Sequence, residues 1–248
     1  MGATRAVAVV GFKASGKTRV VEALVGELTR RGRSVATLKH TSGDAPLDAP
    51  GTDTFRHAEA GAEVSAIISD SRVAIFLNRG LTLNEAAALL GAPEYMILEG
   101  FKSEAVCLRI IVARSQSEVA ELSNGLEAAV ADVEGGPYEA AVPVVKLSDA
   151  GRLADIVEAK AFGLLGGLDC KTCGYASCLE LGKAILAREV DASKCVRYSE
   201  RKTRIRVDGR DIALNPFTQK LVRNVVLGLA SSIKDVGSPQ RVEVETDE

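Results

Sequence analysis

The 248-residue sequence predicts an α/β fold with a mostly parallel sheet flanked by helices, followed by a smaller C-terminal α+β unit. Three observations predict it. Residues 6–10, Ala-Val-Ala-Val-Val, are a continuous apolar run of the kind found in strands buried on both faces. A glycine–lysine loop, an amphipathic helix and a second strand follow directly, which makes one βαβ unit. Beyond residue 163 the chain changes character: glycines cluster, and Cys170, Cys173, Cys178 and Cys195 follow closely.

Taken in order, residues 6–10 are the first strand. Residues 17–31 carry Val20, Val21, Leu24 and Leu28 at helical spacing and end in basic residues before Gly32, a C-cap signal. Residues 34–40 form the next strand, and the Gly-, Pro- and Asp-rich residues 41–53 a loop. Residues 64–69 and 73–77 read as two strands joined tightly around Asp70-Ser71. Thr82 and Glu85 have capping-box spacing before a short helix through Leu90. Residues 96–99 are a buried strand ending in Glu99; 107–112 and 142–146 are further strands, and 154–162 a helix. A hairpin over 205–214 turns at Asp208-Gly209. A last helix starts at Asn215-Pro216, with Asn as N-cap and Pro first. It carries Phe217, Leu221, Val225, Leu229 and Ile233 on one face. The expected division is 1–162 nucleotide binding, 163–200 the four-cysteine module, 201–237 hairpin and helix, and 238–248 a polar, disordered tail.

Residues 11–18, Gly-Phe-Lys-Ala-Ser-Gly-Lys-Thr, match the phosphate-loop pattern G-x-x-x-x-G-K-[ST] without a gap. Glycines let the backbone close round phosphates, so that Gly11, Lys13, Ala14, Ser15 and Gly16 can present N–H groups as an anion nest. The following helix adds the partial positive charge of its N-terminus. Lys17 is expected to reach the β- and γ-phosphates, and the Thr18 hydroxyl to ligate Mg²⁺. The fold class is therefore a P-loop NTPase. Such a loop needs an acid to hold the metal's shell or orient an attacking water. Glu99, at the end of a buried strand and followed by Gly100, is the candidate. Asp53 is a second acid, placed in a loop, and Lys13 reads equally as a solvated surface cation. Lys146-Leu147-Ser148-Asp149 does not have the Asn-Lys-x-Asp spacing with which many GTPases read guanine. Local chemistry alone leaves GTP and ATP open.

Cys170, Cys173, Cys178 and Cys195 give the spacing C-x2-C-x4-C-x16-C. Gly174 permits a sharp reversal beside Cys173. Cys178 opens a helix through Leu181, Ile185 and Leu186, whose N-terminus favours a thiolate. Four thiolates suit either a [4Fe–4S] cluster or a structural Zn²⁺, and ligand count does not decide between them. Cys107, alternating within a strand, reads as core.

Bulk properties bound the partners. With 31 basic and 33 acidic residues the formal charge is -2, which gives no global attraction to nucleic acid or an anionic membrane. The basic residues Lys194, Arg197, Arg201, Lys202, Arg204, Arg206 and Arg210 could meet a phosphorylated ligand or an acidic partner, or simply be solvated. No apolar run approaches the ~18 residues of a membrane span. The first residues lack the long apolar stretch of a secretory signal. The expectation is a cytoplasmic protein with neither nucleic acid nor membrane as partner, whose cysteines are metal ligands or core thiols rather than disulfides.

Two stretches resemble known families. Residues 6–146 are similar to the molybdopterin-guanine dinucleotide biosynthesis protein B family. The shared elements are residues 11–18, Thr37-Leu38-Lys39-His40, residues 51–57 with Ala60-Gly61, and Leu98-Glu99-Gly100-Phe101-Lys102. The chain departs from the family at Lys13, where a polar Ser or Asn is common. It departs again at Thr41-Ser42-Gly43, where a His-rich run is common. This resemblance implies a GTP-binding, weakly hydrolysing, dimeric protein. It would assist attachment of GMP to molybdopterin alongside a nucleotidyltransferase, with Glu99 and Asp53 near nucleotide and magnesium. Residues 168–196 resemble a four-cysteine module with the hallmark Cys-x-x-Cys-Gly-Tyr-x-x-Cys, a helix and a last Cys, which implies [4Fe–4S] in preference to zinc.

Three functions are consistent with these features. The first is a GTP-binding assembly factor for a molybdenum or tungsten pterin cofactor, serving molybdoenzymes. The second is an ATP-dependent metallocofactor activator or electron carrier built round the cluster. The third is a non-catalytic binding module with structural zinc. Nucleotide preference and metal content discriminate among them.

Overall fold

The computed structural model describes residues 4–41, 43, 46–195, 205–207, 210–212, 216–234, 236–237, 242 and 244. The chain divides into two compact units, Met1–Leu164 and Leu165–Glu248.

The first unit contains β1 (Arg5–Val10), α1 (Lys17–Arg30), β2 (Val35–Lys39), α2 (Asp53–Glu59), β3 (Val64–Ile68), β4 (Val73–Leu77) and α3 (Leu83–Leu89). It continues with β5 (Tyr95–Glu99), β6 (Leu108–Val112), α4 (Gln116–Leu122), β7 (Glu127–Asp132), β8 (Val144–Lys146) and α5 (Ala150–Lys160). Six strands form one sheet in the order β2-β5-β1-β6-β7-β8, and every adjacent pair is parallel. β1, β5 and β6 are almost wholly buried, as apolar runs without alternation require.

Helix α1 lays Val20, Val21, Leu24 and Leu28 against the sheet; each of the two leucines is fully buried, worth about 1.5–3 kcal/mol apiece. The other face packs Ala6, Ala8, Val10, Met96, Leu98 and Ile111 with Ala87 of α3 and Val119 and Leu122 of α4. Glu27, Arg31, Asp155 and Glu158 tie α1 to α5 by ion pairs. The capping box is present, with Thr82 accepting from the Glu85 amide and Glu85 from the Thr82 amide. Gly32 is left-handed at φ 77°, as the C-cap signal predicts.

Several elements differ from the sequence reading. Residues 53–59 form α2, where the sequence reading runs the loop through Asp53 and assigns no helix, because Thr52 accepts from the Phe55 amide as N-cap. Helix α5 begins four residues early, since Asp149 caps the Arg152 amide; it ends at Lys160, and Phe162 instead bridges β1 through the Ala6 amide. Helix α4 and strand β7 were not anticipated. β3 and β4 pair antiparallel in a sheet of their own.

The second unit contains α6 (Cys178–Leu186), β9 (Ile205–Val207), β10 (Arg210–Ile212) and α7 (Pro216–Ser231). β9 and β10 are antiparallel. The expected turn at Asp208-Gly209, the Asn215 cap, Arg197, Arg201, Lys202 and Arg204 of the basic stretch, and most of the tail from residue 238 lie outside the described residues. Ile233 falls beyond the end of α7, and Leu221, Val225, Leu229 and Ile233 are all exposed.

Candidate functional site

The loop between β1 and α1 has the geometry of an anion cradle. Ala14 and Gly16 are left-handed, at φ 61° and 90°, which turns successive amides inward. Gly11 admits no side chain: an added Cβ would stand 2.4 Å from the Val112 carbonyl oxygen and 2.5 Å from Ser15 Oγ. Gly16 is the N-cap of α1 and supplies no capping side chain, so the first helical amides are left for a ligand. The Ser15 hydroxyl is buried without a hydrogen-bond partner. Both features fit a bound phosphate group.

The two residues after Gly16 face the predicted acid. Thr18 Oγ1 donates to Glu99 Oε1 at 2.8 Å, and Glu99 also pairs with Lys39 Nζ at 2.9 Å. Glu99 is buried at the carboxyl end of β5, which lies beside β1 in parallel register. That adjacency, not sequence distance, brings residues 18 and 99 together. Lys17 Nζ donates to the Phe12 carbonyl at 2.5 Å, curled over its own loop. Burial pulls the Lys17 ammonium below its ordinary range, Glu99 opposes this, and Lys39, Lys102 and Arg114 add to it. Lys102 also lies 4.7 Å over the Phe12 ring.

The Glu-Gly-Phe-Lys element is held in an unusual backbone. Gly100 and Phe101 are both left-handed, at φ 93° and 55°, and Gly100 passes close to the His40 carbonyl. The Phe101 and His40 rings lie 5.3 Å apart. Arg109, buried in β6, holds the segment from below, donating to the carbonyls of Lys102, Glu104 and Leu122 at 2.7, 2.6 and 3.0 Å. Arg109, Lys39 and Lys102 were not singled out as site residues. The signal for Arg109 was a lone cation inside an apolar strand, a residue almost never buried without partners. Asp53 is the first residue of α2 rather than a loop residue; its carboxylate is exposed and faces Arg56 at 3.9 Å. Lys13 is exposed.

In the second unit, Cys170, Cys173, Cys178 and Cys195 line a single cavity of about 20 Å³ with Leu168 and Leu181. Among the described residues no three His, Cys, Asp or Glu side chains converge closely enough to hold a metal ion. The donor set is nonetheless the one that a cluster or soft metal takes. The loop is tightly wound: Gly167, Asp169, Lys171 and Gly174 are left-handed. Asp169 accepts from the Cys178 amide at 2.6 Å. Burial pushes the Cys178 thiol up, outweighing the backbone hydrogen bonds that favour the thiolate. Cys107 is core, as its strand position predicts.

Comparison with known proteins agrees with this division. Residues 6–133 match the family described as molybdopterin guanine dinucleotide synthesis protein B, MobB, and residues 165–197 match one described as "Putative Fe-S cluster". A protein of Methanocaldococcus jannaschii described as a "Putative molybdopterin-guanine dinucleotide biosynthesis adapter protein" is 30% identical over 247 residues, 98% of this chain and 97% of its own. The molybdopterin-guanine dinucleotide biosynthesis adapter protein of Escherichia coli is 27% identical over 161 residues, 61% of this chain and 90% of its own. The crystal structure of Bacillus subtilis MobB shares the fold, with a TM-score of 0.54 and 24% identity over 64% of this chain and 99% of that one. The chain belongs to the molybdopterin guanine dinucleotide synthesis protein B family.

Proposed function

We propose that this chain is a nucleotide-binding adapter in maturation of a molybdenum or tungsten pterin cofactor, holding GTP and Mg²⁺ on residues 11–18 while the guanine dinucleotide form is made. One observation carries the nucleotide reading: the Thr18 hydroxyl and the Glu99 carboxylate meet at 2.8 Å beside the cradle. That pair is where a phosphate-bound magnesium ion needs its protein oxygens. The relatives' descriptions support the adapter role.

In this reading Lys17 leaves the Phe12 carbonyl and turns to the β- and γ-phosphates. Amides of the loop and of α1 receive the remaining phosphate oxygens. Thr18 and Glu99 would hold a magnesium ion, which would supply charge neutralisation to the phosphates. Glu99 also orients water for in-line attack on the γ-phosphate, which makes the protein a weak GTPase. A role for Asp53 near the nucleotide rests on the family resemblance, since its exposed carboxylate faces Arg56. In the second unit Cys170, Cys173, Cys178 and Cys195 would be the ligands of a [4Fe–4S] cluster, a reading supported by the donor set and the matching family rather than by their present spacing.

The partners are a molybdopterin nucleotidyltransferase, the molybdoenzymes that receive the cofactor, and a second copy of this chain. The hairpin supports the homodimer. Val64, Ile68, Val73 and Ile75 share one face of the β3–β4 pair and are more than half exposed. An isolated two-stranded pair with an open apolar face is marginal in water. Among the described residues no helix is long and apolar enough to cross a membrane.

The test is calorimetric titration of anaerobically purified protein with GTP and with ATP, each with Mg²⁺. Tight GTP binding that is lost in Lys17→Ala is the expected result; unchanged affinity in that variant refutes the phosphate-loop assignment. The four-cysteine cavity favours one further reading, an ATP-driven metallocofactor activator or electron carrier. ATP preference together with a reducible cluster would select it.

A further inference from the structure

An open cleft of about 440 Å³ lies at the carboxyl ends of β7 and β8, lined by Arg19, Asp132, Val133, Lys146, Leu147 and Ser148. Its size is that of a small-molecule site, and its place is where open parallel sheets bind ligands. It adjoins the phosphate loop: a Cβ on Gly16 would meet Val133 at 2.9 Å, and Arg19 directly follows Thr18. Resting on the nucleotide reading above, we infer that this cleft receives the base of that nucleotide and that the Asp132 carboxylate selects guanine.

Asp132 is 8% exposed and ends β7. Its Oδ1 accepts from the amides of Gly135 and Gly136 at 2.6 and 3.3 Å, and its carbonyl accepts from the Leu147 amide at 2.8 Å. The carboxylate is thus fixed in place and joins the ends of the two strands that form the cleft. Ionised, it only accepts hydrogen bonds. Guanine presents two adjacent donors, N1–H and the N2 amine, which one carboxylate takes together. Adenine presents a bare ring nitrogen at the equivalent position, facing the carboxylate lone pairs. Val133 and Leu147 supply apolar contact for the base. Asp149, the acid of the mismatched Lys-x-x-Asp stretch, is not available for this role, because it caps α5 at the Arg152 amide. The reader therefore sits on the neighbouring strand, which explains why the sequence spacing fails.

The test is titration of the full chain, with Mg²⁺, against GTP, ITP, XTP, ATP and inorganic triphosphate, using wild type and Asp132→Asn. Wild type is expected to bind GTP at least about tenfold more tightly than ITP, which lacks the N2 amine, and than ATP, the worth of one hydrogen bond to a charged acceptor. Asp132→Asn should lose at least about tenfold for GTP and gain for XTP, whose O2 matches the new amide donor. Its affinity for inorganic triphosphate should be unchanged. An Asp132→Asn variant that keeps the wild-type GTP preference overturns the assignment. So does a wild type that binds GTP, ITP and ATP alike while still losing all of them in Lys17→Ala; the phosphate loop then stands without this base site. Failure of wild type to bind even inorganic triphosphate refutes the phosphate-loop reading, and this one with it. If the variant does not fold, the wild-type ratio of GTP to ITP decides alone.

Discussion

Replacing Arg109 by Leu tests how the Gly100–Lys102 backbone is held. The guanidinium is buried in β6 and donates to three carbonyls, those of Lys102, Glu104 and Leu122. Its Nε has no hydrogen-bond partner, and burial draws its charge below the ordinary arginine range. Leucine removes all three bonds. The Leu122 carbonyl lies at a buried bond, so leaving it unpaired costs about 1–3 kcal/mol; the other two, partly buried, cost about 1 kcal/mol each once rehydrated. Relief from burying a cation without a carboxylate offsets part of that sum. The net loss is about 2–3 kcal/mol, or about 4–12 °C in melting temperature for a unit of this size. Hydrogen exchange on the intact chain should show the β6 amides opening more readily and residues 101–104 losing protection. Arg109→Lys should not rescue it, because one ammonium cannot span the three carbonyls. An Arg109→Leu protein within about 0.5 kcal/mol of wild type, a typical surface-substitution effect, with unchanged nucleotide affinity, would refute the clamp.

Gly11→Ala places a methyl group against the Val112 carbonyl, which is backbone and cannot rotate away; calorimetry should show loss of triphosphate binding, and retained affinity would mean that the loop shifts freely. Glu27 is held down to about 2 by hydrogen bonds from Arg30 and Arg31, against an ordinary 4.5. A depressed carboxyl stabilises the fold above the unfolded value and loses that contribution as pH falls through the folded one. Glu27→Gln should therefore flatten the stability curve between about pH 4.5 and 2, and an identical acid slope in both proteins contradicts the ion-pair network. The Cys107 thiol is pushed up to about 12 by burial. Iodoacetamide at neutral pH should thus leave it intact in the folded, metal-free protein while alkylating the exposed Cys170, with peptide mass spectrometry as the readout.

What was legible in the sequence follows from how local each signal is. The phosphate loop, its helix, the Thr82–Glu85 box and the buried strand ending at Glu99 are written in contiguous residues. Strand β7 was missed because Glu127-Ala-Ala-Val-Ala-Asp132 is alanine-rich and carries little β-propensity; only its burial between β6 and β8 makes it a strand. Helices α2 and α4 are short, seven residues each, begun by Thr52 and Ser115 caps, too brief for periodicity to register. The Thr18–Glu99 contact was foreseen as chemistry, but only the parallel pairing of β1 with β5 produces it. Arg109 and Asp132 were invisible as site residues because their partners are backbone groups, which a sequence does not label.

The arrangement around the loop also explains why a ligand belongs there. Lys39, Lys102 and Arg114 each act to lower the Lys17 ammonium, while Glu99 is shared by Thr18 and Lys39 and Glu118 is bound to Arg114. These cations, beside a helix N-terminus with open amides, place positive charge near the buried Ser15 hydroxyl. The pairs Lys17–Phe12 and Lys39–Glu99 engage the groups that nucleotide chemistry would use. On the reading proposed above, a triphosphate would compensate these cations and magnesium would compete with Lys39 for Glu99, so that binding would have to open those two internal contacts. On the same nucleotide reading, turnover would be slow, because Glu99 is already engaged by Thr18 and Lys39, which suits an adapter whose nucleotide state matters more than its rate.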